Sequence, residues 1–429
     1  MTDAPHRPSS AERGERRVVV TGMGAVTPIG NDVAAYWASL IAGRSGIECV
    51  TSFDPSRLDS KIAGEVKDFQ PELVMPKKEV RRHDRYVHLA WVASVEALAD
   101  AGIPNPIADD SLAERTGVII GSGIGGINTM IRDVIEAHEL GVERIGPFLV
   151  TSLIPDMGAG FVAIYANARG PNYATVSACS SSNHAIGDAL NIIRRGDADV
   201  MIAGGAESGI GEIPMAAFAA MRALSTKRND DPHKASRPFD ADRDGFVMAD
   251  GAGVLVLEAL DHALARGAPI RGELAGYAAT DDASHITLPA PGGRGAVASM
   301  RLAMADAGLT TDEIGYINAH GSSTPLNDPT ETASIKQVFG DHAYRLAFSG
   351  TKGYYGHALG ASGAIEAAIC SLASSRGWVP PTVNLDLPDP ACDLTHVTGP
   401  GLDLAPDYLL SNSFGFGGIN AALLFRRAE

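Results

Sequence analysis

A cysteine at the tip of an apolar strand and two histidines in glycine-bordered turns are the residues best placed by type and spacing to do covalent chemistry. Cys179 stands where TVSA meets a turn rich in Ser and Asn, SACSSSNHA, which continues with helical spacing. A side chain at that junction faces the unpaired N–H groups and positive end of a helix, both of which favour a thiolate. The competing explanation is a buried structural cysteine, the commoner fate of a lone cysteine. His320 follows an apolar stretch in INAHGSSTPLNDPTE, and His357 sits in the glycine turn of TKGYYGHALGASGA with Lys352 just upstream. Each histidine alone fits a hydrogen-bonded loop residue. Together with Cys179 they supply what covalent acyl transfer needs: a nucleophile, and groups that donate to developing oxyanions. SNSFGFGGIN adds a glycine-lined loop whose backbone N–H groups could closely approach a substrate carbonyl.

The elements that must position these groups alternate in type. RRVVVTGMGAV is an apolar β-branched strand running into a glycine turn, and DVAAYWASLIAGRSG has helical spacing with a glycine-rich stop. TGVIIGSGIGG is a second buried strand, and ATVSACSSSNHAIGDALNIIRRGDADVMIAGGAES is a strand, a sharp turn, a helix and a strand. Near-continuous apolar strands between helices indicate an α/β protein with sheets covered on both faces. The plan then recurs. IRGELAGYAATDD opens a second unit much as RRVVVTGMGAV opens the first, and the His357 segment has the layout of the Cys179 segment. A duplicated fold with a site between its halves follows, with the junction near Gly267. The expected division is a flexible tail over residues 1–16, a first half over 17–266 and a second over 267–429.

The 429 residues are 45% hydrophobic and 20% charged, an ordinary composition for a globular protein with a large core. Four cysteines without paired spacing point to a reducing compartment, the cytoplasm, and no apolar stretch is long enough to span a bilayer. A net charge of −16 repels a polynucleotide backbone, so nucleic acid is an unfavourable partner. Against that background PKKEVRRHDRY is basic: on a helix Lys77 and Arg81 share one face, as do Lys78 and Arg82. The alternative for that stripe is a merely solvated helix face.

Taken in order, the segments around Cys179, His320, His357 and the C-terminal glycine loop closely resemble the β-ketoacyl-acyl carrier protein synthases, the elongating type II enzymes best. AGGAES, MRALST and ASRPFDADRDGFVMADGAGVLVLE add to the resemblance, which runs from about Arg16 to Phe425. It implies a thiolase-like fold, two pseudo-symmetric halves in a layered α-β-α-β-α sandwich. It also implies an acyltransferase that extends an acyl chain by decarboxylative condensation with malonyl-acyl carrier protein.

By the same resemblance Cys179 is the acyl-accepting thiol, His320 and His357 complete a Cys-His-His triad, and Lys352 supports the histidine pair. The backbone N–H groups of Cys179 and Phe416 form the oxyanion hole. His357 is expected to serve condensation more than acylation. Ser322 and Thr324, with Thr287, contact the phosphopantetheine arm. Ile124 closes the far end of the acyl pocket, Leu149 stands where many relatives carry an aromatic residue, and Phe414 and Phe416 gate the pocket. Lys78, Arg81, Arg82 and Arg222 match carrier-docking positions, and an acidic carrier protein suits such a local positive patch. Asn318, Glu331, Glu366, Ser411 and Asn420 resemble an oxygen-lined cation site suited to a hard cation. No cofactor is required, and a homodimer is expected.

SACSSSNHA replaces a more usual threonine-rich version, TKGYYGH a commoner SMTGH-type turn, and Ser322 a frequent threonine. A ketosynthase of a specialised polyketide or aryl-polyene pathway is the alternative, since it would share the catalytic residues. A thiolase would need a second cysteine as acid and base, where this sequence offers histidines. A non-catalytic chain-length partner would lack the cysteine.

Overall fold

The structure, a computed structural model, describes residues 8–428. Ten strands form its main sheet: β1 (Val18–Val26), β2 (Thr116–Gly121), β3 (Asn172–Tyr173), β4 (Val200–Glu207), β5 (Gly251–Ala259), β6 (Gly272–Asp281), β7 (Tyr316–Asn318), β8 (Ala347–Ser349), β9 (Tyr408–Gly415) and β10 (Ile419–Arg426). Their order is β8-β7-β9-β10-β6-β1-β5-β4-β2-β3. From β1 outward the pairings run antiparallel to β5, antiparallel to β4, parallel to β2 and parallel to β3. From β6 outward they run antiparallel to β10, antiparallel to β9, parallel to β7 and parallel to β8. The second series repeats the first strand for strand. The two meet through β1 and β6 over a short stretch, Val19 opposite Glu273 and Val20 opposite Gly272.

Seven helices matter to the site: α1 (Arg85–Asp100), α2 (Ile127–Leu140), α3 (Met157–Ala166), α4 (Ser181–Arg195), α5 (Arg294–Ala307), α6 (Asn327–Phe339) and α7 (Ser362–Arg376). Helices α1 and α3 cover the outer face of the first half, and α5, with α6 beside it, covers that of the second. Helices α4 and α7 lie between the halves, each against strands of both. This is the layered α-β-α-β-α order.

Local sequence explains the closeness of these layers. In β1, a Cβ on Gly24 would stand 1.9 Å from the Ala93 carbonyl oxygen, so only glycine lets α1 lie that near. Central helix α7, SGAIEAAICSLASSR, is buried from Ser362 to Ser374. Its small residues suit a helix enclosed on all sides. Each large aliphatic side chain buried in these layers contributes about 1.5–3 kcal/mol.

The loose tail expected over residues 1–16 is not loose where the structure describes it; residues 1–7 lie outside the described part. From Ser9 the chain forms a turn that docks on α5, with the Ser10 N–H donating to the Asp306 carbonyl at 2.8 Å. Arg13 pairs with the Asp306 carboxylate at 2.7 Å, and Arg194 of α4 meets the same carboxylate at 2.7 Å. Charge pairing at a buried acid holds a segment whose polar composition alone suggested mobility.

Candidate active site

Two matching turns carry the chemistry. Cys179 sits in the short 3-10 turn Ala178–Ser180 that leads into α4, and His357 just precedes the turn Leu359–Ala361 that leads into α7. Each turn has a non-glycine residue at positive φ, Ala178 at 50° and Leu359 at 42°. Such conformations persist only where surrounding contacts hold them. Ser181 Oγ holds the Ala178 carbonyl from the same half at 2.7 Å, and further contacts come from the opposite half. Ser180 Oγ donates to the Ser413 and Ile419 carbonyls at 3.1 and 2.9 Å, and Ser413 Oγ donates to the Cys179 carbonyl at 2.9 Å. The β9–β10 hairpin thus fixes the nucleophile turn of the first half.

His357 Nε2 stands 3.1 Å from Cys179 Sγ, and its Nδ1 is 2.8 Å from Ser362 Oγ, the first residue of α7. A hydroxyl can donate or accept, so Ser362 holds the ring in either neutral tautomer with Nε2 directed at Cys179, able to accept the thiol proton in one and to donate in the other. His320 meets His357 edge-to-face with ring centroids 5.3 Å apart. Its backbone is clamped: the N–H groups of His320 and Gly321 donate to Glu331 Oε1 and Oε2, both at 2.8 Å. Lys352 Nζ donates to the His320 carbonyl at 2.5 Å and pairs with Glu366. Lys352 therefore supports His320 through the main chain, not through either ring.

Burial sets the protonation states. Desolvation, then the Lys352 charge, holds His320 and His357 well below the usual histidine value, so both are neutral at pH 7. Desolvation also pushes the Cys179 thiol up to about 12, aided by nearby Glu207 and opposed by Lys352 and by the Phe416 and Cys179 N–H groups. The helix end was expected to favour a thiolate. The enclosed sulfur, 8% exposed, instead rests as a thiol. The Phe416 and Cys179 N–H groups nonetheless pull its pKa down, so both lie close enough to act on the sulfur.

A cavity of about 940 Å³ opens over this sulfur. Ile124, Phe414, Phe416, Ser322, Thr324, Thr287 and Arg222 line it together with Cys179 and both histidines. Ser322 and Thr324 present linked hydroxyls, 3.0 Å apart. Leu149 does not join them. It lines a separate polar cavity with Arg81, Arg82 and Phe148, because its short helix Leu149–Leu153 packs beside α2. The expected basic helical stripe also fails as drawn. The helix ends at Val80, so Lys77 to Arg82 do not share one continuous face. Lys78 and Arg81 are exposed, whereas Arg82 pairs with Glu79 at 3.2 Å and lies 4.8 Å over the Phe148 ring.

Behind Lys352 is a set of buried oxygens. Asn318 Oδ1, Ser411 Oγ, Asn412 Oδ1 and Glu366 Oε2 have no hydrogen-bond partner, and Asn318 and Ser411 are in register on β7 and β9. Burial pushes Glu331 and Glu366 up to about 7, each partly offset by Lys352. Orphaned buried oxygens of this kind fit a hard cation. Asn420 is not among them. It belongs to β10, where its amide donates to Asp282 Oδ1 at 3.1 Å and the Gly418 carbonyl at 2.8 Å. Asn412 of β9 instead lies beside Glu331, its amide donating to Oε1 at 3.4 Å.

Sequence reasoning missed Ser362, Asn412 and Glu207. Glu207 carried a signal: a carboxylate ends VMIAGGAE, a strand buried at every position.

The chain matches the model of the β-ketoacyl synthase N-terminal domain over residues 15–263 and that of the C-terminal domain over residues 271–386. It is 49% identical to 3-oxoacyl-[acyl-carrier-protein] synthase 2 of Synechocystis sp., covering 97% of this chain and 99% of the relative. Against the protein of the same name from Staphylococcus aureus strain N315 it is 48% identical, covering 96% and 99%. A crystal structure of a β-ketoacyl synthase from Burkholderia phymatum superposes with a TM-score of 0.90 at 38% identity, covering 96% and 100%. A type II polyketide ketosynthase solved with its acyl-carrier protein and a hexaketide superposes at 0.89 with 32% identity, covering 97% and 100%. The ordered motifs, the repeated sheet and the two turns meeting at Cys179 agree with these matches, and the chain belongs to the β-ketoacyl synthase family.

Proposed function

We propose that this chain is an elongating 3-oxoacyl-[acyl-carrier-protein] synthase working with an acyl carrier protein. The observation that carries the reading is Cys179 Sγ within 3.1 Å of His357 Nε2, under a large cavity and beside two main-chain donors. The Cys179 sulfur attacks the acyl thioester, its proton passes through His357 to the departing pantetheine thiol, and the acyl chain is left on Cys179. Malonyl-carrier protein then binds. Neutral His320 and His357 donate to its thioester oxygen as the carboxylate leaves as CO2 and the electron pair forms an enolate. The enolate carbon attacks the acyl carbonyl, whose oxygen takes up charge at the Cys179 and Phe416 N–H groups. Collapse expels the Cys179 sulfur, which recovers a proton, and releases a 3-oxoacyl chain on the carrier. Removing one oxyanion donor of this kind typically costs about 10²–10³ in rate.

The buried oxygens of Asn318, Ser411, Asn412 and Glu366 would hold a hard cation whose charge steadies the acidic cluster behind Lys352. Lys78, Arg81 and Arg222 are the carrier-facing cations of this reading. The exposed apolar run of Val134, Ile135, Val142 and Val150 supports a homodimer, with Leu149 inside that contact. Light scattering of the purified chain tests that state. Among the described residues no helix is long and apolar enough to cross a membrane. The free cysteines fit a cytoplasmic protein.

Incubation with malonyl-acyl carrier protein and a graded series of acyl-carrier donors tests the reaction. Fatty 3-oxoacyl products over a range of lengths are expected. Turnover only with a polyketide or polyene intermediate would favour a specialised ketosynthase, to two of whose solved examples the chain is 32% and 34% identical.

A further inference from the structure

The mechanism makes no use of Glu207, a fully buried carboxylate at the end of β4. Its two oxygens collect donors from two separate turns. Oε1 accepts from the Ser122 hydroxyl at 2.8 Å and the Ile124 N–H at 3.3 Å. Oε2 accepts from the Gly123 N–H at 2.6 Å and the Gly360 N–H at 3.0 Å. Ser122 Oγ in turn accepts from the Gly125 N–H at 3.0 Å, so the whole turn that presents Ile124 to the acyl cavity hangs from this acid. Gly360 belongs to the other half, in the positive-φ turn between His357 and its partner Ser362.

The packing leaves no room for a side chain at either glycine of these turns. A Cβ on Gly360 would lie 2.3 Å from the Gly123 nitrogen, and a Cβ on either glycine would lie 2.8 Å from Glu207 Oε2. The two backbones therefore touch across one carboxylate. Leu359, next to Gly360, lines the same cavity as Ile124. Pocket wall and histidine turn form one continuous unit.

Resting on the condensing activity proposed above, we propose that Glu207 is a positioning residue that fixes the Ile124 turn and the His357 turn together. Acyl-chain selection and malonyl decarboxylation then change together when its acceptor set is altered. A glutamine at this position has one acceptor oxygen, and its amide N–H groups would oppose the N–H groups of one turn.

The test uses the purified full chain and its Glu207→Gln variant, with short and long acyl-carrier donors and with malonyl-acyl carrier protein alone. Glu207→Gln is expected to change the long-to-short ratio of kcat/KM by about tenfold. It should also lower the kcat of decarboxylation by about tenfold with KM unchanged, the scale of a lost hydrogen bond to a charged group. A uniform loss at all chain lengths, or a change in one activity without the other, would overturn the proposal. Ser122→Ala removes a donor on the Ile124 side only. It is expected to shift chain-length preference and spare decarboxylation, and an unchanged preference would count equally against the role of Glu207. A wild-type chain that neither acylates nor condenses would instead overturn the proposed function.

Discussion

His357 Nε2 stands 3.1 Å from Cys179 Sγ, whereas His320 reaches the site by an edge-to-face contact with His357 at 5.3 Å. The two imidazoles are therefore not equivalent. His357 is placed to take the thiol proton and later to donate to the malonyl thioester, while His320 is placed for the second task.

Replacing His320 by alanine is expected to lower malonyl decarboxylation by about 10²-fold, the scale of a lost oxyanion donor, and to leave Cys179 acylation within a few-fold. His357→Ala is expected to depress both half-reactions, which revises the division of labour expected from the sequence. Single-turnover rates for each step check this. Equal acylation by His357→Ala and wild type would contradict it.

The resting thiol follows from burial. A Cys179 pKa raised to about 12 means that the neutral form predominates below that value and the reactive anion grows as pH rises toward it. Iodoacetamide alkylation of Cys179 is expected to accelerate steadily from pH 7 to pH 9. A plateau at neutral pH would show a stabilised thiolate.

The two histidines have the opposite sign. Their values are lowered by burial and by Lys352, so both stay neutral as pH falls through the ordinary histidine range. Histidine ring resonances of His320 and His357 should hold still between pH 8 and pH 6. Movement of either site signal with a midpoint near 6.5 would contradict the buried-neutral assignment.

Carrier docking is expected to depend on Arg81 more than on Arg82. Arg81 is exposed, but Arg82 is engaged by Glu79 and by the Phe148 ring. Arg81→Glu should raise KM for acyl-carrier protein by about tenfold and leave KM for acyl-pantetheine near wild type, the pattern of a lost electrostatic contact. Equal effects on both substrates would remove Arg81 from the docking surface.

Much of this fold was legible because its signals are local. The apolar strands, the glycine turns and the resemblance between the Cys179 and His357 segments state a duplication that the sheet repeats pairing for pairing. The triad was legible for the same reason, each member sitting at a strand end or turn. What escaped depends on contacts across the halves. Asn412 and Asn420 lie on paired strands of one hairpin, and only the register shows that Asn412 approaches Glu331. The basic stripe was drawn on a helix that ends at Val80, before Asp84 caps α1. Glu207 read as a strand end until Gly360, far along the chain, was seen to share it.

The claim beneath all of this is that Cys179 carries the growing chain. Intact-protein and peptide mass spectrometry after mixing the chain with an acyl-carrier donor measures it directly. The expected result is one acyl group on the Cys179 peptide, discharged when malonyl-acyl carrier protein is added and absent in Cys179→Ala, which should keep its wild-type unfolding temperature. An acyl group on another residue, or one on Cys179 that malonyl-carrier protein does not remove, would contradict the account.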